Sequence, residues 1–185
     1  MTSRMRPNSG KAVARRSVLT GVGALSAAGV MSVPSPAEAS VKWARYTCPL
    51  SSASIAYPST WTLDTHVSTQ PRLLYPHQSF VIRSASPPDR AVPEFPDLSS
   101  FPADALYLWL LHYNDVQEGI RHMPKPAVSY DQLDRGVSEF TNFTKYVKSF
   151  SGSQRSFFIR LWIGNSTPSA KISLLNRCIS SLKVP

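Results

Sequence analysis

"DALYLWLLHY", from Asp104 to Tyr113, settles whether this chain is built on helices or on strands. Leu106, Leu108 and Leu110 recur at a period of two, with Tyr107, Trp109 and Tyr113 at the intervening positions. Successive side chains of a strand point to opposite sides, so a strand covered on both faces carries this pattern. Wound as a helix, the same run is apolar nearly all round, which a buried helix also tolerates. We take it as a central strand and keep the helix as the open alternative.

The flanking segments favour a sheet. "EFTNFTKYVKSF" (139–150) is rich in threonine and aromatics, side chains that suit a pleated, half-buried surface. "SGSQ" (151–154) supplies turn residues. "RSFFIRLWIG" (155–164) then sets Phe157, Ile159, Leu161 and Ile163 inward against Phe158, Arg160 and Trp162 outward. These two runs are expected to form an antiparallel hairpin. On the N-terminal side, "QSFVIRSA" (78–85) and "SIAYPSTWTL" (54–63) carry strand patterns, the second interrupted by the turn residues Pro58, Ser59 and Thr60. Ser40 to Thr47 is taken as a short lead-in. Prolines cluster between Pro71 and Pro102, where stiff irregular loops are expected, because proline cannot donate to a ladder.

The last element has the signals of a helix. Thr167 is placed as its N-cap, where the hydroxyl accepts from an unpaired first-turn N–H, and Pro168 at the first helical position. Ile172, Leu175, Ile179 and Leu182 follow at helical spacing with Cys178 beside them, and Lys183 sits near the negative end. The stripe needs an apolar partner, which the sheet supplies. The expected class is α+β, an antiparallel sheet with a C-terminal helix packed on one face, in one domain over 40–185.

Residues 1–39 differ in kind. Arg4, Arg6, Lys11, Arg15 and Arg16 form a basic start, Ser17 to Val33 carries no charge, and Ala37-Glu38-Ala39 offers small residues around a cleavage point. That is the build of an export signal, with cleavage expected after Ala39 by a signal peptidase and a secreted product. The uncharged stretch is short and glycine-rich for a span, so no stable membrane anchor is expected after cleavage. The Arg15-Arg16 pair, with Leu19 and low hydrophobicity, resembles twin-arginine signals, although Val18 and Thr20 depart from that pattern. The twin-arginine and general routes both stay open.

Charge narrows the function classes. The chain has 20 Lys and Arg against 11 Asp and Glu, a formal +9. Five of those bases and one acid lie in 1–39, so the remainder carries 15 against 10, or +5. Its bases are scattered, which argues against a nucleic-acid footprint and leaves loose attraction to anionic envelope polymers.

The order of motifs "SIAYPSTWTL", "SFVIRSA", "PADALYLWLLHY", "MPKPAVSYDQL" and "SFFIRLWIGNSTPSAKISLLNRCISSLKV" resembles an uncharacterised family of exported bacterial α+β domains. The family's pattern falls on Tyr57, Pro58 and Trp61, then Gly164, then Ser181 to Val184, over about residues 54–184. A more distant similarity is to the Mog1/PsbP-like fold. The resemblance implies export and a sheet-and-helix sandwich, and it assigns no catalytic residue. Gln154-Arg155 stands where such proteins often have Gly-Arg before the closing strand.

Cys48 and Cys178, the two cysteines of an exported chain, are expected to pair as a disulfide, with two buried inert thiols as the alternative. His66, His77, His112 and His122 show no zinc spacing, and neither a metal nor a cofactor is expected. Asp64 with His66, and His112 with Asp115, are taken as ordinary surface residues. No Gly-x-Ser-x-Gly elbow, P-loop or dinucleotide motif occurs. Tyr57, Trp61, Trp109, Tyr113 and Trp162 are grouped as a candidate binding surface on one sheet face, with plain core as the competing reading. The functional expectation is a non-catalytic exported domain that binds a protein or cell-envelope component. The alternative is a secreted hydrolase whose site gathers residues distant in sequence, and a ligand carrier is a third reading.

Overall fold

The computed structural model describes residues 40–67, 77–85, 97–113, 115–123, 125 and 127–185. The export-signal features at Arg15, Arg16, Ala37 and Ala39 lie outside these residues, as does much of the proline-rich stretch.

Among the described residues, eight strands and one α-helix make the fold largely β, an α+β arrangement in coarse form. The strands are β1 (Trp43–Thr47), β2 (Ser54–Pro58), β3 (Thr62–Val67), β4 (His77–Arg83), β5 (Leu106–Tyr113), β6 (Asp134–Arg135), β7 (Phe143–Ser151) and β8 (Ser156–Gly164), followed by α1 (Ser169–Ser180). Six of them form one antiparallel sheet in the order β3-β4-β5-β8-β7-β6. The Asp104–Tyr113 run is therefore a strand inside the sheet. Leu108 lies opposite Ile82 on one side and Leu161 on the other, and Leu106 to His112 are buried without a break. The β7–β8 hairpin forms in the expected place, pairing Phe143–Ser151 with Ser156–Gly164.

Each sheet face has its own cover. Phe80, Ile82, Leu106, Leu108, Leu110, Phe157, Ile159 and Leu161 join a core closed by α1 and the β1–β2 hairpin through Ile55, Leu175 and Ile179. The opposite face holds Val81, Tyr107, Trp109, Leu111 and Trp162 under Leu98, Phe101 and Phe140. Phe158 and Trp162, expected outward, thus join a second core. The alternation was right, but both faces are dry.

Two expectations near the N-terminus are corrected. The lead-in contains β1, which pairs with β2 in a separate two-stranded sheet. "SIAYPSTWTL" consequently passes from that hairpin into the main sheet, turning where the Trp61 N–H donates to the Pro58 carbonyl. Arg45, exposed in the middle of β1, hides its strand pattern from a hydropathy reading.

The helix carries the expected stripe, with Leu175, Cys178, Ile179 and Leu182 buried and Ile172 packed at its edge. Its start differs from the expectation. Pro168 is the N-cap, in extended conformation with its carbonyl accepting from Lys171 and Ile172, and no side chain caps the helix. Thr167 stands one position before the cap, where its hydroxyl makes no cap bond and its N–H donates to the Gly164 carbonyl. Lys171 donates to the Asp104 carboxylate at 2.7 Å, and that bond holds the Asp104 carboxyl below its usual range. The stabilisation is present above the carboxylate range and lost as pH falls through it.

At the far end, the Ser181 hydroxyl accepts from the Ala56 N–H at 2.8 Å and donates to the Cys178 carbonyl at 2.7 Å. Ser54 and Lys183 then exchange both backbone bonds at 2.9 Å, so the tail extends the hairpin's edge. Ser181→Ala leaves the Ala56 N–H without its acceptor. It is expected to cost about 1–2 kcal/mol, read as a lower urea midpoint at unchanged slope.

Candidate functional site

The five aromatics grouped as one surface do not share a face. Tyr57 and Trp61 pack on the helix side, while Trp109, Tyr113 and Trp162 lie on the other. Trp61, Trp109 and Trp162 are buried, so the indoles build cores rather than a ligand platform. Their cross-strand neighbours add cations. Arg160, opposite Trp109, holds its guanidinium 4.9 Å from that ring, and Lys145, opposite Trp162, stands 5.2 Å away. Arg177 covers Trp43 in the same manner at 4.4 Å.

The disulfide expectation is also overturned: Cys48 and Cys178 are both free, buried thiols. They live in different surroundings. Cys178 faces apolar groups, and burial pushes its thiol up to about 12. Cys48, just beyond β1, points at two polar side chains of the main sheet. Its Sγ donates to Gln78 Oε1 at 2.8 Å and lies 3.5 Å from His112 Nε2. Gln78 and His112 are direct partners in the β4–β5 ladder, so the register itself sets them side by side beneath the β1–β2 hairpin. His112 is fully buried, not the surface residue expected, and its ring lies 5.8 Å from Phe157. Tyr46 closes the cluster, its phenol raised by burial and by neighbouring Cys48. Asp64, by contrast, behaves as an outer residue, accepting from Arg83 Nε at 2.7 Å across β3 and β4.

A second polar feature opens to solvent. A groove of about 260 Å³ runs between the start of α1 and the end of the β7–β8 hairpin, lined by Tyr130, Thr144, Tyr146, Asn165, Thr167 and Ile172. Tyr130 lies in a short 3-10 turn (Tyr130–Gln132), and its N–H donates to Asn176 Oδ1 of the helix at 3.0 Å. The rings of Tyr130 and Tyr146 meet edge to face at 5.2 Å. Burial, then Tyr130, raises the Tyr146 phenol above its usual range. Thr144 donates to Asn165 Oδ1 at 3.2 Å, and Asn165 Nδ2 donates to the Thr141 carbonyl. The Thr167 oxygen, freed from capping, is buried without a hydrogen-bond partner among the described residues. None of these lining groups is charged. Sequence reasoning missed the groove because its walls come from three separated segments, none with a motif of its own.

Among the described residues no three His, Cys, Asp or Glu side chains gather as a metal site, and no helix is long and apolar enough to cross a membrane. No family model matches the chain, and neither do the curated proteins or the solved structures with which it was compared.

Proposed function

We propose that this is an exported, non-catalytic domain that binds a neutral, hydroxyl- or amide-bearing component of the cell envelope. The groove beside α1 carries the reading. Two tyrosine rings offer faces for an apolar or sugar-ring surface, and threonine and asparagine offer hydrogen bonds without a fixed charge. The unpartnered Thr167 oxygen is a group that a ligand donor would satisfy. Export itself rests on the basic start with Arg15-Arg16 and on Ala37-Glu38-Ala39.

The test is a titration of the domain with neutral envelope oligosaccharides and peptidoglycan fragments, followed by tyrosine fluorescence and by amide chemical shifts. Saturable binding with shifts centred on Thr144, Asn165 and Thr167 is expected. Tyr146→Ala should weaken it at least about tenfold, some 1.4 kcal/mol. Binding that Tyr146→Ala leaves unchanged, or no saturable binding with either class, sinks the reading.

The hydrolase alternative has one observation in its favour, the approach of Cys48 to His112. Both side chains are sealed, with Cys48 only 1% exposed, and an acyl substrate has no room to reach the sulfur.

A further inference from the structure

The buried cluster of Cys48, Gln78 and His112 is not explained by ligand binding in the groove. A core position that needs only packing is filled most cheaply by apolar side chains, as at Cys178. Here instead two long polar side chains from adjacent strands converge on one thiol. Gln78 is 6% exposed and His112 is 0% exposed.

The geometry suits proton removal from sulfur. His112 Nε2 at 3.5 Å takes the thiol proton when the ring's other nitrogen carries its own hydrogen. The Gln78 amide accepts from the neutral thiol at 2.8 Å and, turned over, presents its NH2 to the thiolate. Thiolate and imidazolium then form as a neutral pair, so burial penalises the pair less than it would either ion alone. With Cys48 only 1% exposed in the packed core, a bulky reactant is excluded, and a very small one reaches the sulfur through local opening of the β1–β2 hairpin above it.

We infer that Cys48 is a hydroperoxide-reactive thiol, with His112 as its base and Gln78 as its amide partner, and that Cys178 is not. His112 takes the proton from Cys48, and the sulfur attacks one oxygen of hydrogen peroxide. The O–O bond breaks as the S–O bond forms. The departing hydroxide recovers the proton from His112 and leaves as water. The thiol is oxidised to a sulfenic acid and the peroxide is reduced to water, one for one.

The test uses the folded full chain. It is exposed to hydrogen peroxide for timed intervals, quenched with catalase, then unfolded in the presence of dimedone and a thiol-alkylating reagent. Peptide mass mapping scores both cysteines in the same molecule. The expected result is a dimedone adduct that accumulates on Cys48 while Cys178 stays an alkylated thiol. His112→Gln should slow the adduct at least about tenfold with the thermal midpoint monitored alongside, a ratio set by loss of the base. The wild-type comparison needs no variant to fold. If Cys48 survives peroxide as long as Cys178, or if oxidation appears at Cys48 only once the chain is unfolded, the inference fails. It fails too if folded His112→Gln reacts at the wild-type rate. Groove binding is read by a separate titration, so either idea can fall without the other.

Discussion

Phe157→Ala lowers the free energy of unfolding by about 3–5 kcal/mol, the range for truncating a large buried aromatic. The position is the hub of three strands. Phe157 is fully buried on β8, opposite His112 of β5 and opposite Phe150 of β7, and its ring stacks on Phe150 with centroids 5.4 Å apart. Neither neighbour can collapse into the space, because each is fixed by its own ladder. The loss is a large fraction of the roughly 5–15 kcal/mol that holds a domain of this size together. Urea denaturation followed by tyrosine and tryptophan fluorescence reads it as a fall in midpoint at constant slope. Val137→Ala, at a side chain 87% exposed, is the control and should change stability by less than about 0.5 kcal/mol. Equal effects at the two positions would mean that the sheet's helix-side core is not packed as described.

Gly164→Ala is the second large effect, for a different reason. A methyl group at Gly164 would lie 2.1 Å from the Ala103 carbonyl oxygen and 3.0 Å from that of Ala105. Both are backbone atoms that cannot rotate away. The same segment is stitched at this point, with the Gly164 N–H donating to Ala105 and the Ser166 N–H donating to Ala103, each at 2.9 Å. Relief of the clash therefore parts β8 from the strand entry at 103–105. A cost of about 3 kcal/mol or more is expected, at or above the upper end for overpacking. Gly136→Ala makes the comparison sharp, because its nearest neighbours are side-chain carbons at 3.5 Å, an ordinary contact. It should be close to neutral. Thermal unfolding of the two variants side by side decides the point, and a Gly164 variant as stable as the Gly136 one would refute the close approach.

The strands were readable where side-chain period and burial agree. Leu106 to Tyr113 and Phe157 to Ile163 alternate because each lies in a ladder with a distinct core on either face. The helix stripe at Leu175, Ile179 and Leu182 was readable for the same reason, at its own period. What the residue order does not carry is pairing. β2 and β3 adjoin in sequence yet belong to different sheets, and β1 could not be recognised without its partner, since Arg45 interrupts it. The aromatic grouping failed at this step, because faces drawn along single strands do not say how the strands stack. The cysteine pairing failed because compartment and an even count permit a bridge without placing the sulfurs. Gln78 had no signal at all. Its meaning comes from the register that sets it against His112, 34 positions away in the chain.

The antiparallel bridge between Ser54 and Lys183 has a kinetic consequence. It joins the start of the described chain to its last few residues, and its closure waits on the ordering of nearly everything in between. Loop closure over such a distance is slow, and local hairpins such as β7–β8 face no comparable search. The main sheet can assemble first, with the β1–β2 hairpin settling onto it only as α1 and the tail arrive. During that interval Cys48 has no lid, and the leucines of β5 on that side stand open to water. On that order of assembly, the contact that closes last would also be the one that seals the thiol.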